Sequence, residues 1–97
     1  MKTFVVLVNF TPQGVHAIKD SPERAGKFVE QLEASGIAVK GQYWTLGAYD
    51  GLLILASEDE EATLAAVLSL AKTGNVQTQT LPAYDRAGFA ALVSRLA

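Results

Sequence analysis

The sequence predicts an α+β domain in which a four-stranded antiparallel sheet, formed in the order βαββαβ, is followed by a C-terminal helix. Three observations predict it. Four segments rich in β-branched and aromatic residues are separated by segments whose apolar residues recur at helical spacing. The junctions between them carry Ser, Thr or Asp caps, prolines in first helical turns, or glycines where helices and turns must stop. Finally, two of the four strand segments are apolar on both faces, the pattern of strands at the centre of a sheet covered on both sides.

Each element follows from its residues. Residues 3–10, Thr-Phe-Val-Val-Leu-Val-Asn-Phe, read as a strand, and Thr11-Pro12 then supplies an N-cap and a first-turn proline for a short helical turn. Ser21-Pro22 repeats that signature, and Ala25, Phe28, Val29 and Leu32 recur at helical spacing until Gly36 stops the helix. Residues 37–46 and 49–57 form two strands joined by a tight turn at Leu46-Gly47-Ala48, with Gly47 free to take a positive φ. Ser57 and Glu60 form a capping box for a second amphipathic helix marked by Leu64, Val67, Leu68 and Ala71 and ended by Gly74-Asn75. Residues 76–81 make the fourth strand, whose Thr and Gln side chains suit a sheet edge. After Pro82, Asp85 caps a last helix with Phe89, Leu92, Val93 and Leu96 on one face.

In this arrangement the first and third strands are central, and right-handed crossovers place both connecting helices on one face of the sheet. The other face is left bare. The first strand carries Phe4, Val6, Val8 and Phe10 on one side and Val5 and Leu7 on the other. In the third strand, Leu52, Ile54 and Ala56 alternate with Leu53 and Leu55. Leaving such side chains wet costs several kcal/mol, a large part of the stability of a small domain. A second copy of the sheet is the economical cover, so a homodimer or higher homo-oligomer is expected. The alternative is a C-terminal helix folded back over that face within one chain.

Composition narrows the function classes. A chain of 97 residues makes one domain and buries only about two thirds of the surface its unfolded form exposes. With no cysteine, neither disulfides nor thiolate metal sites can reinforce it, which again favours oligomerisation. A formal net charge of −2 and a pI near 5.2 supply no basic field for a nucleic-acid backbone. The apolar run from Phe4 to Val8 is too brief for a signal-peptide core or a membrane span, so the expected location is the cytoplasm, without membrane or nucleic-acid partners.

Candidate site residues gather at the turn between the second and third strands, where Tyr43, Trp44, Tyr49 and Asp50 put aromatic and carboxylate groups together. These suit the mouth of a ligand pocket, and equally a core edge or an interface. Asp50 could orient a ligand group or accept backbone N–H bonds within the turn. His16, the only histidine, stands one helical turn before Asp20, a spacing that brings a carboxylate within reach of its imidazole. A proton-moving role is conceivable, and a surface or capping role is the commoner fate of such a residue. A transition-metal site would lack a second histidine or any cysteine. Ser21, Ser57 and Thr11 sit where caps are wanted, so no nucleophile constellation forms, and no Walker or dinucleotide fingerprint calls for a cofactor. The run Glu58-Asp59-Glu60-Glu61 suits a helix N-terminus.

The segment Tyr43-Trp44-Thr45-Leu46-Gly47-Ala48-Tyr49-Asp50 resembles the signature of the GYD family of small bacterial and archaeal proteins, with Ala48 separating the glycine from the tyrosine and aspartate of the family name. The opening Asn9-Phe10-Thr11-Pro12-Gln13-Gly14, the stretch Ile18-Lys19-Asp20-Ser21-Pro22 with Arg24, and Gly74-Asn75-Val76 with Thr78, Thr80 and Leu81 are similar to that family in order and spacing. The resemblance spans nearly the whole chain. It implies a dimeric α+β barrel of the ferredoxin-like kind, and no established activity. That architecture also serves cofactor-independent monooxygenases, haem-handling enzymes, small ligand-binding regulators and stress-related proteins, so it supports a pocket without naming a reaction.

The expected function is an oligomeric module that binds a small metabolite between helices and sheet. The competing expectation is a cofactor-independent monooxygenase or isomerase with Asn9, Tyr43, Trp44 and Tyr49 lining the pocket and His16 moving a proton. A third is a purely structural assembly platform.

Overall fold

The computed structural model describes residues 1–97. In chain order the elements are β1 (Lys2–Phe10), α1 (Pro12–His16), a 3₁₀ turn (Ile18–Asp20), α2 (Ser21–Ala34), β2 (Ala38–Trp44), β3 (Gly51–Ser57), α3 (Glu60–Lys72), β4 (Val76–Ala83) and α4 (Arg86–Val93). All pairings are antiparallel and the strand order is β2-β3-β1-β4, so the two doubly apolar strands are indeed the central ones.

The register decides which residues share a face. Phe4 pairs with Leu55 and Val6 with Leu53, and all four are buried, with Val6, Leu53 and Leu55 forming one core with Phe28 and Leu32 of α2 and Val67 of α3. Both helices therefore cover the same face. On the opposite face Val5 pairs with Ile54 and Leu7 with Leu52, and all four keep partial exposure. The last helix does not cover them: α4 contains no buried residue, and its Phe89 is 60% exposed. The radius of gyration, 14.5 Å, exceeds the roughly 12.5 Å typical of a compact chain of this length, as befits a body measuring 49 × 31 × 19 Å.

Local signals explain most boundaries. The Thr11 hydroxyl accepts the Gly14 N–H at 3.1 Å, capping α1. Helix α2 ends in a Schellman motif: Gly36 takes φ +82°, the Ile37 N–H reaches the Leu32 carbonyl at 3.0 Å, and Gly36 N–H reaches that of Glu33 at 3.1 Å. Leu32 and Ile37 are both almost completely buried, so the stop also delivers a core contact. Asp85 caps α4 through the Gly88 N–H at 2.7 Å.

Four expectations need correction. The connection between β2 and β3 is a six-residue loop, residues 45–50, in place of a tight turn, because Thr45 and Asp50 close it by a backbone bond at 2.9 Å. Gly47 still holds a positive φ, +144°. Helix α3 is capped by Asp59, whose carboxylate accepts the Ala62 N–H at 3.0 Å, while the Ser57 hydroxyl accepts the Asp59 N–H and so shapes the approach. The stripe that α3 buries runs through Thr63, Ala66, Val67 and Leu70, whereas Leu64 and Leu68 are 38% and 71% exposed. Thr63 tolerates complete burial because its hydroxyl donates to the Asp59 carbonyl at 3.0 Å. Lastly, Ser21 makes no capping bond at the start of α2.

Candidate functional site

The space between two helices and a sheet is normally filled by side chains from all three. At one end of this sheet it is not. The position in β3 that faces the helices there, opposite Val8 of β1 and Trp44 of β2, is Gly51. A side chain at Gly51 would also meet the Tyr43 carbonyl oxygen at 2.9 Å from its Cβ, so backbone packing excludes one. What remains is a cavity of about 300 Å³ between α2, α3 and the helix-covered face. Val8, Phe10, Phe28, Leu53, Leu70 and Val76 contribute its apolar walls, and Arg24, Trp44 and Asp50 contribute polar groups.

Those groups are fixed by a network that ties distant segments together. The Asp50 Oδ2 accepts the Phe10 N–H at 2.8 Å, and the Asp50 N–H donates to the Val8 carbonyl at 2.8 Å. Asn9 Nδ2 donates to the Ala48 carbonyl at 2.9 Å, anchoring the same loop from its other side. The Thr45 hydroxyl donates to the Tyr49 carbonyl at 2.6 Å. Across the cavity mouth, Trp44 Nε1 donates to the Ser21 hydroxyl at 3.1 Å, linking β2 to the first residue of α2. This is what the Ser21 hydroxyl does in place of capping. Arg24 donates through one guanidinium nitrogen to the Ala17 carbonyl at 2.9 Å, closing the bend between the 3₁₀ turn and α2.

A second set of bonds closes the opposite rim. The Thr11 hydroxyl donates to the Gly74 carbonyl at 2.6 Å, the Thr11 N–H to that of Asn75 at 3.0 Å, and Gln13 Nε2 reaches Asn75 Oδ1 at 3.0 Å. Gly14 lies so close to the Asn75 carbonyl that a Cβ there would collide with it. Helix α1 is thus clamped onto the α3–β4 connection.

The sequence-selected residues separate into three groups. Trp44 and Asp50 line the cavity. Asn9 and Tyr49 hold the loop beside it through the bonds just described. Tyr43 borders the cavity, yet its ring comes within 3.0 Å of a Cβ built at Gly41, next to Ile54 on the open sheet face. His16 is exposed and outside the cavity. Its helix ends at Ala17 (φ −101°, ψ 27°), so the regular spacing to Asp20 is broken and no ion pair joins them. No group of three or more His, Asp or Glu side chains is placed to hold a metal ion. No helix is long and apolar enough to cross a membrane.

Sequence reasoning missed Arg24, Gly51 and Phe28 as cavity residues. Arg24 had one available signal, its place in the Ser21-Pro22 stretch quoted for the family resemblance. Gly51 had none, because only the register shows that its missing side chain faces the helices.

Comparison with known proteins bears on these residues. No solved structure matches the chain. A curated protein of Thermus thermophilus, the "Glutamine synthetase and cystathionine beta-lyase binding protein", is 37% identical over 97 residues, covering 99% of each chain. The model of the GYD domain matches residues 4–93, a span that contains every cavity-lining residue named above and both rims. The chain therefore belongs to the GYD domain family.

Proposed function

We propose that this protein is a self-associating, non-catalytic binding module that engages metabolic enzymes and holds a small metabolite between its helices and sheet. The observation that carries self-association is the open sheet face, where Val5, Leu7, Leu52 and Ile54 stand side by side, all partly exposed, with only the first turn of α4, at Gly88, approaching the Val5–Ile54 end. Burying one such side chain fully is worth about 1.5–3 kcal/mol, so the bare face favours cover by an equivalent face. Tyr43 and Leu81 extend the same surface toward the two sheet edges.

Enzyme partners are suggested by the Thermus thermophilus relative, named for binding glutamine synthetase and cystathionine β-lyase. Those two enzymes are the first partners to test. The small-molecule component rests on the cavity, whose size lies at the lower end of ligand pockets and whose walls are apolar with a few convergent polar groups.

Native mass spectrometry of freshly purified protein reads oligomer mass and bound ligand in one spectrum, and biolayer interferometry against the two purified enzymes reads partner binding. An even-numbered oligomer that binds either enzyme saturably supports the reading. A monomer at micromolar concentration overturns self-association, and silence toward both enzymes removes them as partners.

A cofactor-independent monooxygenase or isomerase is the competing reading. Its proton carrier would be His16, the only histidine, and the position of His16 outside the cavity favours binding over turnover.

A further inference from the structure

We infer that the cavity takes an apolar amino acid in its zwitterionic form, with Arg24 receiving the carboxylate and Asp50 the ammonium group. This deepens the metabolite-binding part of the proposed function and rests on it. The starting point is an imbalance of charge pairing. Arg24 and Asp50 both line the cavity, both are partly buried, and neither takes part in any of the three ion pairs of the molecule. Each keeps bonding capacity in reserve. Arg24 uses one donor, toward the Ala17 carbonyl, out of the five a guanidinium carries. Asp50 uses one oxygen on the Phe10 N–H, leaving the other carboxylate oxygen without a hydrogen bond from the chain.

Partly desolvated charges without partners are unfavourable, and a ligand bearing the complementary pair relieves both at once. Lys27 is not an alternative anchor, because its ammonium is 3.6 Å from Glu23 and its side chain is 71% exposed. A dianion such as a phosphate monoester would meet a single available guanidinium and the repulsion of Asp50. A neutral apolar ligand would leave both charges unpaired. The zwitterion satisfies them, and its side chain fits the wall formed by Val8, Phe28, Leu53 and Leu70. A volume of about 300 Å³ suits a molecule of amino-acid size and is small for a nucleotide.

Isothermal titration of the purified protein with L-phenylalanine and L-leucine tests this, with 3-phenylpropionate and phenethylamine as the analogues lacking the ammonium and the carboxylate. The expected result is saturable binding of an amino acid and a loss of about tenfold or more for each analogue, as removal of one charge-assisted hydrogen bond implies. Arg24→Gln should weaken the amino acid and leave phenethylamine unchanged, a pattern that misfolding could not produce. Equal binding of all phenyl compounds, or unchanged binding by Arg24→Gln, overturns the assignment. If native spectra carry a reproducible ligand of another class and the amino acids give no heat, the assignment falls while the cavity stands as a ligand site. If no small molecule of any class binds, both fall.

Discussion

The carboxylate of Asp50 accepts the backbone N–H of Phe10 at 2.8 Å, just beyond the point where β3 stops pairing with β1. The last β1–β3 pair is Val8 with Gly51, and the Asp50 N–H still reaches the Val8 carbonyl. A side chain thus continues the ladder that the backbone abandons, and it holds the 45–50 loop against the cavity. Asp50→Ala should destabilise the fold by about 1–3 kcal/mol, the cost of leaving a partly buried N–H unpaired, with Asp50→Asn nearer ~1 kcal/mol because an amide oxygen can still accept. Urea denaturation with a common m-value checks it.

Gly14→Ala sets two effects against each other. In a helix the substitution ordinarily gains about 1 kcal/mol, whereas forcing a methyl group into a filled site costs about 1–3 kcal/mol. The Asn75 carbonyl is backbone, held by Thr11, and cannot swing aside, so the collision should win. The thermal midpoint should fall, by about 4–8 °C for each kcal/mol lost, in a differential scanning calorimeter.

Ser21→Ala removes the acceptor of the only indole N–H in the chain. Trp44 is half exposed, so water replaces the hydroxyl and the stability loss should stay near ~0.5–1.5 kcal/mol. The emission maximum should move to longer wavelength as the ring is freed. Because no other tryptophan contributes, the spectrum reports the cavity mouth directly.

Leu7→Lys places a charge at the centre of the open sheet face without touching the helix-covered core. If copies meet on this face as proposed, light scattering coupled to size exclusion should find a smaller species than for the unsubstituted chain, with the circular dichroism of a folded chain. Retention of the wild-type mass would show that this face is not where copies meet.

Much of this molecule is legible without its structure. Thr11, Gly36 and Asp85 announce their caps and stops because those signals act within a few residues. The doubly apolar β1 and β3 identify the central strands because alternation along a strand reports both of its surroundings. In α3 the pattern misleads, since apolar residues surround most of that helix. Choosing Leu64 and Leu68 over Thr63 overlooks a hydroxyl that satisfies itself on the Asp59 carbonyl.

By itself, then, the sequence determined the order of elements, the central strands and the caps and stop at Thr11, Asp85 and Gly36, all of which depend on local bonding and on periodicity. Only the tertiary structure decided that Ser21 serves Trp44, that Gly14 seats against Asn75, that Gly51 leaves a cavity floor, and that Arg24 and Asp50 share that cavity while His16 does not. These are relations between residues far apart in the chain. They depend on the register of β1, β2 and β3 and on where α2 lands over the sheet, and no nearest-neighbour preference encodes either.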